Sequence, residues 1–134
     1  MKAGNPEIFL QTSANTFHPA FSPDGRWIAY MSRESGKAEI YVRAFPDKGG
    51  RWQISNSGGY LPIWSRNGRE LFYRTEGQQI MVASYTVKGD SFAADKPRFW
   101  TEKRLADTGT SQNLDIAPDG KQFAVLMPAD VGNL

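Results

Sequence analysis

The stretch that decides the fold is FSPDGRWIAY at residues 21–30. It has two further copies in the chain, WSRNGRELFY at 64–73 and IAPDGKQFAV at 116–125. Each copy reads as an apolar residue, a small residue, a turn that ends in glycine, a polar residue and an apolar run. The turn glycines are separated by 43 and 52 residues. A period of roughly 40–50 residues is typical of the four-stranded blades of a β-propeller.

The turn in the middle of each copy predicts a hairpin. Pro23 presets its own φ, Asp24 tolerates the second turn position, and Gly25 supplies the left-handed residue that closes a tight connection. The second copy has Asn67-Gly68 at this place, which is an equally good turn pair. The three copies therefore predict hairpin turns at 23–25, 66–68 and 118–120.

The strands around the turns can be placed from the apolar pattern. Residues 27–31 are apolar on both alternating faces, as in a strand that is covered on both sides. The pattern predicts sheets of up to four strands, with further strands at 39–45, 51–55, 70–74, 80–87 and 97–101. Each fourth strand ends in a hydroxyl residue, which is Thr12, Ser55 or Thr101. The 13 glycines and 8 prolines disfavour long helices.

The repeat therefore predicts an all-β chain that forms part of a β-propeller, with about two and a half four-stranded antiparallel blades. The predicted parts are an outer strand of a split blade at 7–12, a first blade at 18–57, a second blade at 60–101 and half of a third blade at 112–127. Because this arrangement begins and ends inside a blade, we expect bare end faces and open strand edges in an isolated chain.

The repeated motif resembles the TolB-like propeller repeat, whose core is a proline, an aromatic residue and Ser-Pro-Asp-Gly. It stands here as PAFSPDG at 19–25 and PIWSRNG at 62–68. The segments 26–30, 39–46 and 68–74 are similar, more narrowly, to propellers fused behind bacterial serine/threonine kinases. The resemblance implies a sensor or protein-docking module without catalytic residues. The kinase motifs themselves do not occur in this sequence.

The composition disfavours several classes of partner. The 16 basic and 14 acidic residues give a formal charge of +2, and the basic residues form no run, so neither nucleic acid nor a membrane surface is predicted as a partner. No apolar stretch approaches the roughly 20 residues that cross a bilayer. Residues 1–6 do not resemble a signal peptide, and the absence of cysteine suits cytoplasm and periplasm alike. The compartment therefore stays open.

The inventory of reactive residues predicts that the chain is not an enzyme. It has no cysteine and a single histidine, His18, with no catalytic partner placed near it in sequence. Asp24 and Asp119 recur in the turns, where aspartate is a turn former. No calcium-loop or dinucleotide-binding pattern occurs, so no metal and no cofactor is predicted.

Binding residues are expected at the channel end of the propeller, where the inner strands begin. The candidates are His18, Tyr60, Asn113 and Asp115, together with Asp107 in the long loop 102–111. Two functions are open at this point. The first is a non-catalytic interaction module, either a protein–protein scaffold or a sensor. The alternative is a propeller that binds a small molecule or a glycan, or hydrolyses it, through these residues.

The expected partner is a protein, and a second copy of the chain is the first candidate. Propeller blades are packed face to face, so an arc of two to three blades favours association. The N-terminal strand of one copy would complete the third blade of another. A symmetric pair would then form a six-bladed ring, within the usual range of about four to eight blades.

Overall fold

The computed structural model describes residues 16–46, 50–101, 114–116 and 123–125 of the chain. This part of the chain contains only β-strands, paired antiparallel, and no helix. The all-β prediction is therefore confirmed. The predicted strand at 7–12, the hydroxyl residue Thr12 and the turn at 118–120 lie outside the described residues.

The strands form two large sheets and one small sheet. Blade 1 consists of β1 (Thr16–Phe21), β2 (Trp27–Ser32), β3 (Glu39–Ala44) and β4 (Arg51–Gln53), hydrogen-bonded in that order. Blade 2 consists of β5 (Tyr60–Trp64), β6 (Glu70–Arg74), β7 (Ile80–Lys88), β8 (Ser91–Ala94) and β9 (Arg98–Thr101). The third sheet contains β10 (Leu114–Ile116) and β11 (Phe123–Val125). Within the described residues the sheets do not close into a ring.

The turn chemistry of the repeat is present in both large sheets. Gly25 and Gly68 each have a φ of 72°, a left-handed conformation that suits glycine. The Asp24 carboxylate accepts hydrogen bonds from Ser22 Oγ at 2.6 Å and from the Arg26 backbone N–H at 3.1 Å. In blade 2, Asn67 Oδ1 accepts the equivalent bond from the Arg69 N–H at 2.8 Å. The predicted hairpins at 23–25 and 66–68 are thus confirmed, and Asp24 acts as a turn residue.

The innermost strand of each blade contains the same bulge. In β1, His18 and Pro19 together lie opposite Tyr30, because Phe17 pairs with Met31 and Ala20 pairs with Ala29. In β5, residues 61 and 62 lie opposite a single residue of β6 in the same way. The residue before the proline is left-handed in both strands, with φ of 56° at His18 and 58° at Leu61. Such bulges bend a strand and increase its twist.

The limit of four strands per sheet is wrong for blade 2, which has five. Strand β7 pairs with β8 near its end and with β9 near its start. The Asp95 N–H donates to the Ser84 carbonyl at 2.8 Å between these two pairings. Strands β8 and β9 therefore lie in tandem along one edge of β7. The hairpin of residues 85–94, called the arm below, turns at Gly89 and Asp90.

The arm fills the space between the two blades with an aromatic side chain. Phe92 is only 3% exposed. Its ring centroid lies 5.0 Å from that of Tyr85, 5.3 Å from that of Trp27, and 6.0 Å from those of Trp52 and Trp64. The Arg26 Nη2 of blade 1 also donates to the Gly89 carbonyl of the arm at 2.7 Å. The two blades thus share one apolar core.

Part of the outer face of each blade is also buried, so the expectation of bare end faces does not hold for the buried residues there. On blade 1 the buried residues are Ile28, Tyr30 and Tyr41, and on blade 2 they are Leu61, Phe72, Ile80 and Val82. Part of the cover on blade 1 is local. The rings of Tyr30 and Tyr41 stack at 5.9 Å, and the Arg51 guanidinium lies 4.7 Å above Tyr41.

Candidate functional site

The structure describes three of the five candidate residues that were predicted from sequence, and the role of all five stays a prediction. His18 and Tyr60 lie on β1 and β5, which contact each other as neighbouring inner strands. Tyr60 is half-buried and packs its ring under the Arg74 guanidinium at 5.6 Å. Asp115 is exposed on β10, in the small third sheet. Asn113, Asp107 and the long loop 102–111 lie outside the described residues.

A groove opens between the two blades on the side of the loops that join β4 to β5 and β6 to β7. Its volume is about 400 Å³, and it is called the loop-side groove below. Its polar lining residues are Asn56, Ser57, Thr75, Glu76, Gln79 and Lys96. Tyr73 and Met81 contribute from the strands, and Phe99 on β9 is half exposed at 50% beside it. The groove thus combines an accessible aromatic ring with hydrogen-bonding groups, the negative charge of Glu76 and the positive charge of Lys96.

One wall of the groove is held by a buried carboxylate. Glu39 Oε1 accepts hydrogen bonds from Ser55 Oγ at 2.7 Å and from the Gly58 N–H at 2.8 Å. Ser55 Oγ in turn accepts a bond from the Ile40 N–H at 2.7 Å. The Lys37 ammonium lies 3.8 Å from the second carboxylate oxygen of Glu39. This network fixes the loop of residues 55–59 against blade 1, because buried polar groups are costly unless they are bonded.

Gly59 completes this wall by its lack of a side chain. A Cβ at this position would lie 2.7 Å from Ser55 Oγ and 2.8 Å from an Ile40 side-chain carbon. Any other residue would therefore displace the Ser55 hydroxyl from Glu39. The close approach of the chain to Ser55 is therefore the structural reason for a glycine at position 59.

The loop-side groove contains a buried phenol, that of Tyr73, whose pKa is shifted. Burial raises the pKa of the Tyr73 phenol to about 12, and the nearby negative charge of Glu39 contributes to the same shift. Tyr73 is therefore a neutral hydroxyl at physiological pH. It offers a hydrogen bond rather than a charge to anything in the groove.

A second, smaller groove opens between the blades at the hairpin turns, with a volume of about 350 Å³. Its lining includes Asp24, Arg26 and Tyr85. Burial raises the pKa of Tyr85 to about 12, with a further contribution from the charge of Asp24. Partial burial raises the pKa of Asp24, but the bonds from Ser22 and Arg26 outweigh it, so the net shift is downward. The carboxylate of Asp24 thus stays ionised while it holds its turn.

The acidic groups of the described residues mostly have structural partners. Glu39 holds the loop 55–59, Glu34 pairs with Arg51, and Glu70 pairs with Arg98 at 3.4 Å. In the described part of the chain, no group of three or more His, Asp or Glu residues is placed to hold a metal ion. Across the same residues, no helix has the length and apolar character that a membrane span requires.

Comparison with known proteins agrees with this architecture. No family model matches the chain. It is 26% identical over 86 residues to the Tol-Pal system protein TolB of Desulfosudis oleivorans, a match that covers 64% of this chain and 17% of the relative. It is 43% identical over 54 residues to the Tol-Pal system protein TolB of Pseudomonas aeruginosa, covering 40% of this chain and 12% of the relative. The repeats are TolB-like. The matches span only a small part of the length of either relative.

A solved structure shows the fold. A "putative 6-phosphogluconolactonase" from Bacteroides uniformis aligns with 95% of this chain and 39% of its own, with a TM-score of 0.57 and 19% sequence identity. At this identity the likeness concerns the fold alone. The TolB-like propeller class predicted from the repeat is confirmed, and the narrower likeness to kinase-fused propellers stays a prediction.

Proposed function

We propose that the chain is a non-catalytic propeller module that binds a protein partner and needs no cofactor. The observation that supports this function is the loop-side groove with Phe99 beside it. A half-exposed aromatic ring next to a polar-lined groove is the combination that anchors a partner chain, because aromatic residues dominate binding energy when they become desolvated. The TolB relatives are components of the Tol-Pal system by name, which is consistent with work in an assembly.

The absence of catalysis is part of the proposal. The described carboxylates named above are engaged in turns, loop anchors and surface ion pairs rather than in acid–base pairs. The single histidine, His18, stands at a backbone bulge. We expect no turnover of ester, lactone or glycoside substrates above the rate without protein. Turnover that is lost on His18→Ala or Asp115→Asn would favour the small-molecule or glycan alternative instead.

The proposed use of the groove can be tested with a photo-crosslinking residue at position 99. The matched control places the same residue at Lys88, which is exposed on the arm. In an extract of the source cells, we expect position 99 to capture one defined protein and position 88 not to capture it. Glu76→Lys and Lys96→Glu should each reduce that capture. Identical products at both positions, or no product at position 99, would contradict a partner in this groove.

We propose further that two copies of the chain pair to complete a six-bladed ring. The support is the open arc that the described sheets form, together with the range of about four to eight blades in propellers. Light scattering at micromolar concentration is expected to give twice the 15.0 kDa of one chain. A mass of one chain that persists up to about 100 μM would refute this pairing, because that is on the order of the highest practical concentration at which weak pairs can be detected.

A further inference from the structure

Two aromatic pairs in the molecule have the same geometry. Trp64 and Tyr85 meet edge to face, with centroids 5.1 Å apart and an interplanar angle of 84°. Phe21 and Phe45 meet edge to face at 5.0 Å and 88°. Each pair joins the end of an innermost strand to another part of the same blade. Phe45 follows β3, and Tyr85 lies within β7. The first pair belongs to blade 2 and the second to blade 1.

The backbone places the two pairs at the same position of the repeat. Phe21 and Trp64 each stand four residues before the left-handed turn glycine. The Phe45 N–H donates to the Arg26 carbonyl at 2.8 Å, and the Tyr85 N–H donates to the Arg69 carbonyl at 2.9 Å. The Phe21–Phe45 pair of blade 1 therefore corresponds to the Trp64–Tyr85 pair of blade 2.

In blade 2 this aromatic pair packs against the neighbouring blade. Trp64 is 6% exposed, and its Nε1 donates to the Ala20 carbonyl of β1 at 2.8 Å. The indole thus caps the innermost strand of blade 1. Phe21, in contrast, is 55% exposed. Blade 1 carries the equivalent pair on the face that points away from blade 2, where Phe45 is half-buried and the Phe21 ring is the exposed member.

We propose that the Phe21–Phe45 pair is the seat for the third blade of a second copy of this chain. The surface that fits it is the innermost strand of another blade of the same repeat, as β1 fits Trp64. Strand β10 supplies such a strand, and Asp115 stands on it five residues before the turn glycine, as Ala20 does on β1. Asp115 is exposed. The contact is apolar on the Phe21 side, because a phenyl ring lacks the indole N–H.

This inference rests on the proposed pairing of two copies and adds its contact residues. The partner is a second copy because the contact between blades 1 and 2 shows the surface on which such an aromatic pair packs. That surface is the innermost strand of a neighbouring blade. Two such seats related by a two-fold axis would close the ring. Capture of an unrelated protein at Phe21, in place of a second copy, is therefore an outcome that contradicts the proposal.

The test uses the full chain and its concentration-dependent mass by sedimentation. Phe21→Ser is expected to weaken pairing by about tenfold or more, because it removes a buried aromatic anchor from the interface. Trp100→Ser, which changes an exposed aromatic residue of β9, is the matched control and should leave pairing unchanged. Phe21→Trp should tighten pairing, since an indole restores the donor that Trp64 uses. A merely structural role for Phe21 would not produce tighter pairing.

Crosslinking between copies gives a second readout, helped by the absence of native cysteine. A mixture of Phe21→Cys chains and Asp115→Cys chains is expected to form an interchain disulfide under mild oxidation. A mixture of Phe21→Cys and Lys88→Cys chains is not expected to do so. If pairing persists in Phe21→Ser and both mixtures stay reduced, the seat is wrong although the pairing stands. If the wild-type chain is monomeric, both the seat and the pairing fail.

Discussion

Blades 1 and 2 are alike in their inner strands and differ after the third strand. Strands β1–β3 and β5–β7 share the bulge, the hairpin turn and the register around the turn glycine. Blade 1 then ends in the short β4, whose side chains are exposed or half-buried. Blade 2 instead extends β7 into the arm, which reaches blade 1. The inner strands are thus common to both blades, whereas the strands after them differ, and the arm of blade 2 fills the space between the two blades.

The largest effect is expected where the two blades differ most, at Phe92. Phe92→Ala removes a buried ring that contacts four other aromatic residues, so we expect a loss of about 3–5 kcal/mol in the free energy of unfolding. Phe99→Ala is the matched control, and because Phe99 is half exposed we expect it to cost less than about 1 kcal/mol. Urea unfolding measures both. Equal costs would mean that the arm does not join the blades.

The outer-strand hydroxyls offer a smaller and more selective comparison. Ser55→Ala removes the acceptor of the Ile40 N–H and one of the two hydrogen bonds to Glu39 Oε1, so we expect a loss of about 1–3 kcal/mol. Thr101→Ala is the corresponding change in blade 2, where Gln79, just before β7, occupies the position that Glu39 has at the start of β3. It should cost less, because Thr101 is only half-buried whereas Ser55 is fully buried. A greater cost at Thr101 in chemical denaturation would reverse this ranking of the two blades.

The turn glycines test the part in which the blades are the same. Gly25→Val and Gly68→Val each force a β-branched residue to a φ of 72°, and a Cβ would meet no atom within 4 Å at either site. The cost is therefore one of backbone conformation, about 1–2 kcal/mol in each case. We expect the two urea midpoints to fall by the same amount. An unchanged midpoint in either variant would contradict the turn assignment there.

Alkaline pH is expected to lower stability through two phenols that lie in the grooves between the blades. The pKa of Tyr73 and of Tyr85 is raised to about 12 from an ordinary value of 10.0. The unfolded chain therefore releases these protons first as the pH rises, so stability is full below pH 10 and declines between about 10 and 12. Tyr73→Phe and Tyr85→Phe should each flatten the decline in melting temperature. A decline that is identical in the double variant would exclude these phenols as its cause.

The inner part of each blade could be predicted from the sequence because its signals are local. The turn pairs fixed both hairpins, and the strand bounds agree with the prediction to within two residues. For Ser55 the hydroxyl after the fourth strand also has a physical cause, since its Oγ donates to Glu39 and accepts from the Ile40 N–H. Glu39 itself was missed, because a single charged residue in a strand reads as solvated until its fold partners are known.

The arm and the grooves could not be predicted in the same way. The Gly89-Asp90 pair is a hairpin signal, but residues 80–87 were interpreted as a strand that simply ended there. What makes the arm stable is the position of Phe92 among the rings of another blade, and no local pattern encodes that contact. The loop-side groove is likewise built from loops of both blades. Position in the repeat predicts His18, Tyr60 and Asp115 as site residues, and this stays a prediction beside the loop-side groove, which is lined by other residues.

The bulge before each inner proline has a consequence for how such a chain changes during evolution. In an extended strand, adding or removing one residue turns every later side chain to the opposite face. The strand register that turns the buried aromatic residues toward the core already includes the extra residue at His18-Pro19 and at Leu61-Pro62. A single-residue deletion within β1 or β5 would therefore exchange core and surface. Changes of length are therefore confined to the loops, in agreement with turn glycines that are 43 and 52 residues apart while the count within the inner strands stays the same.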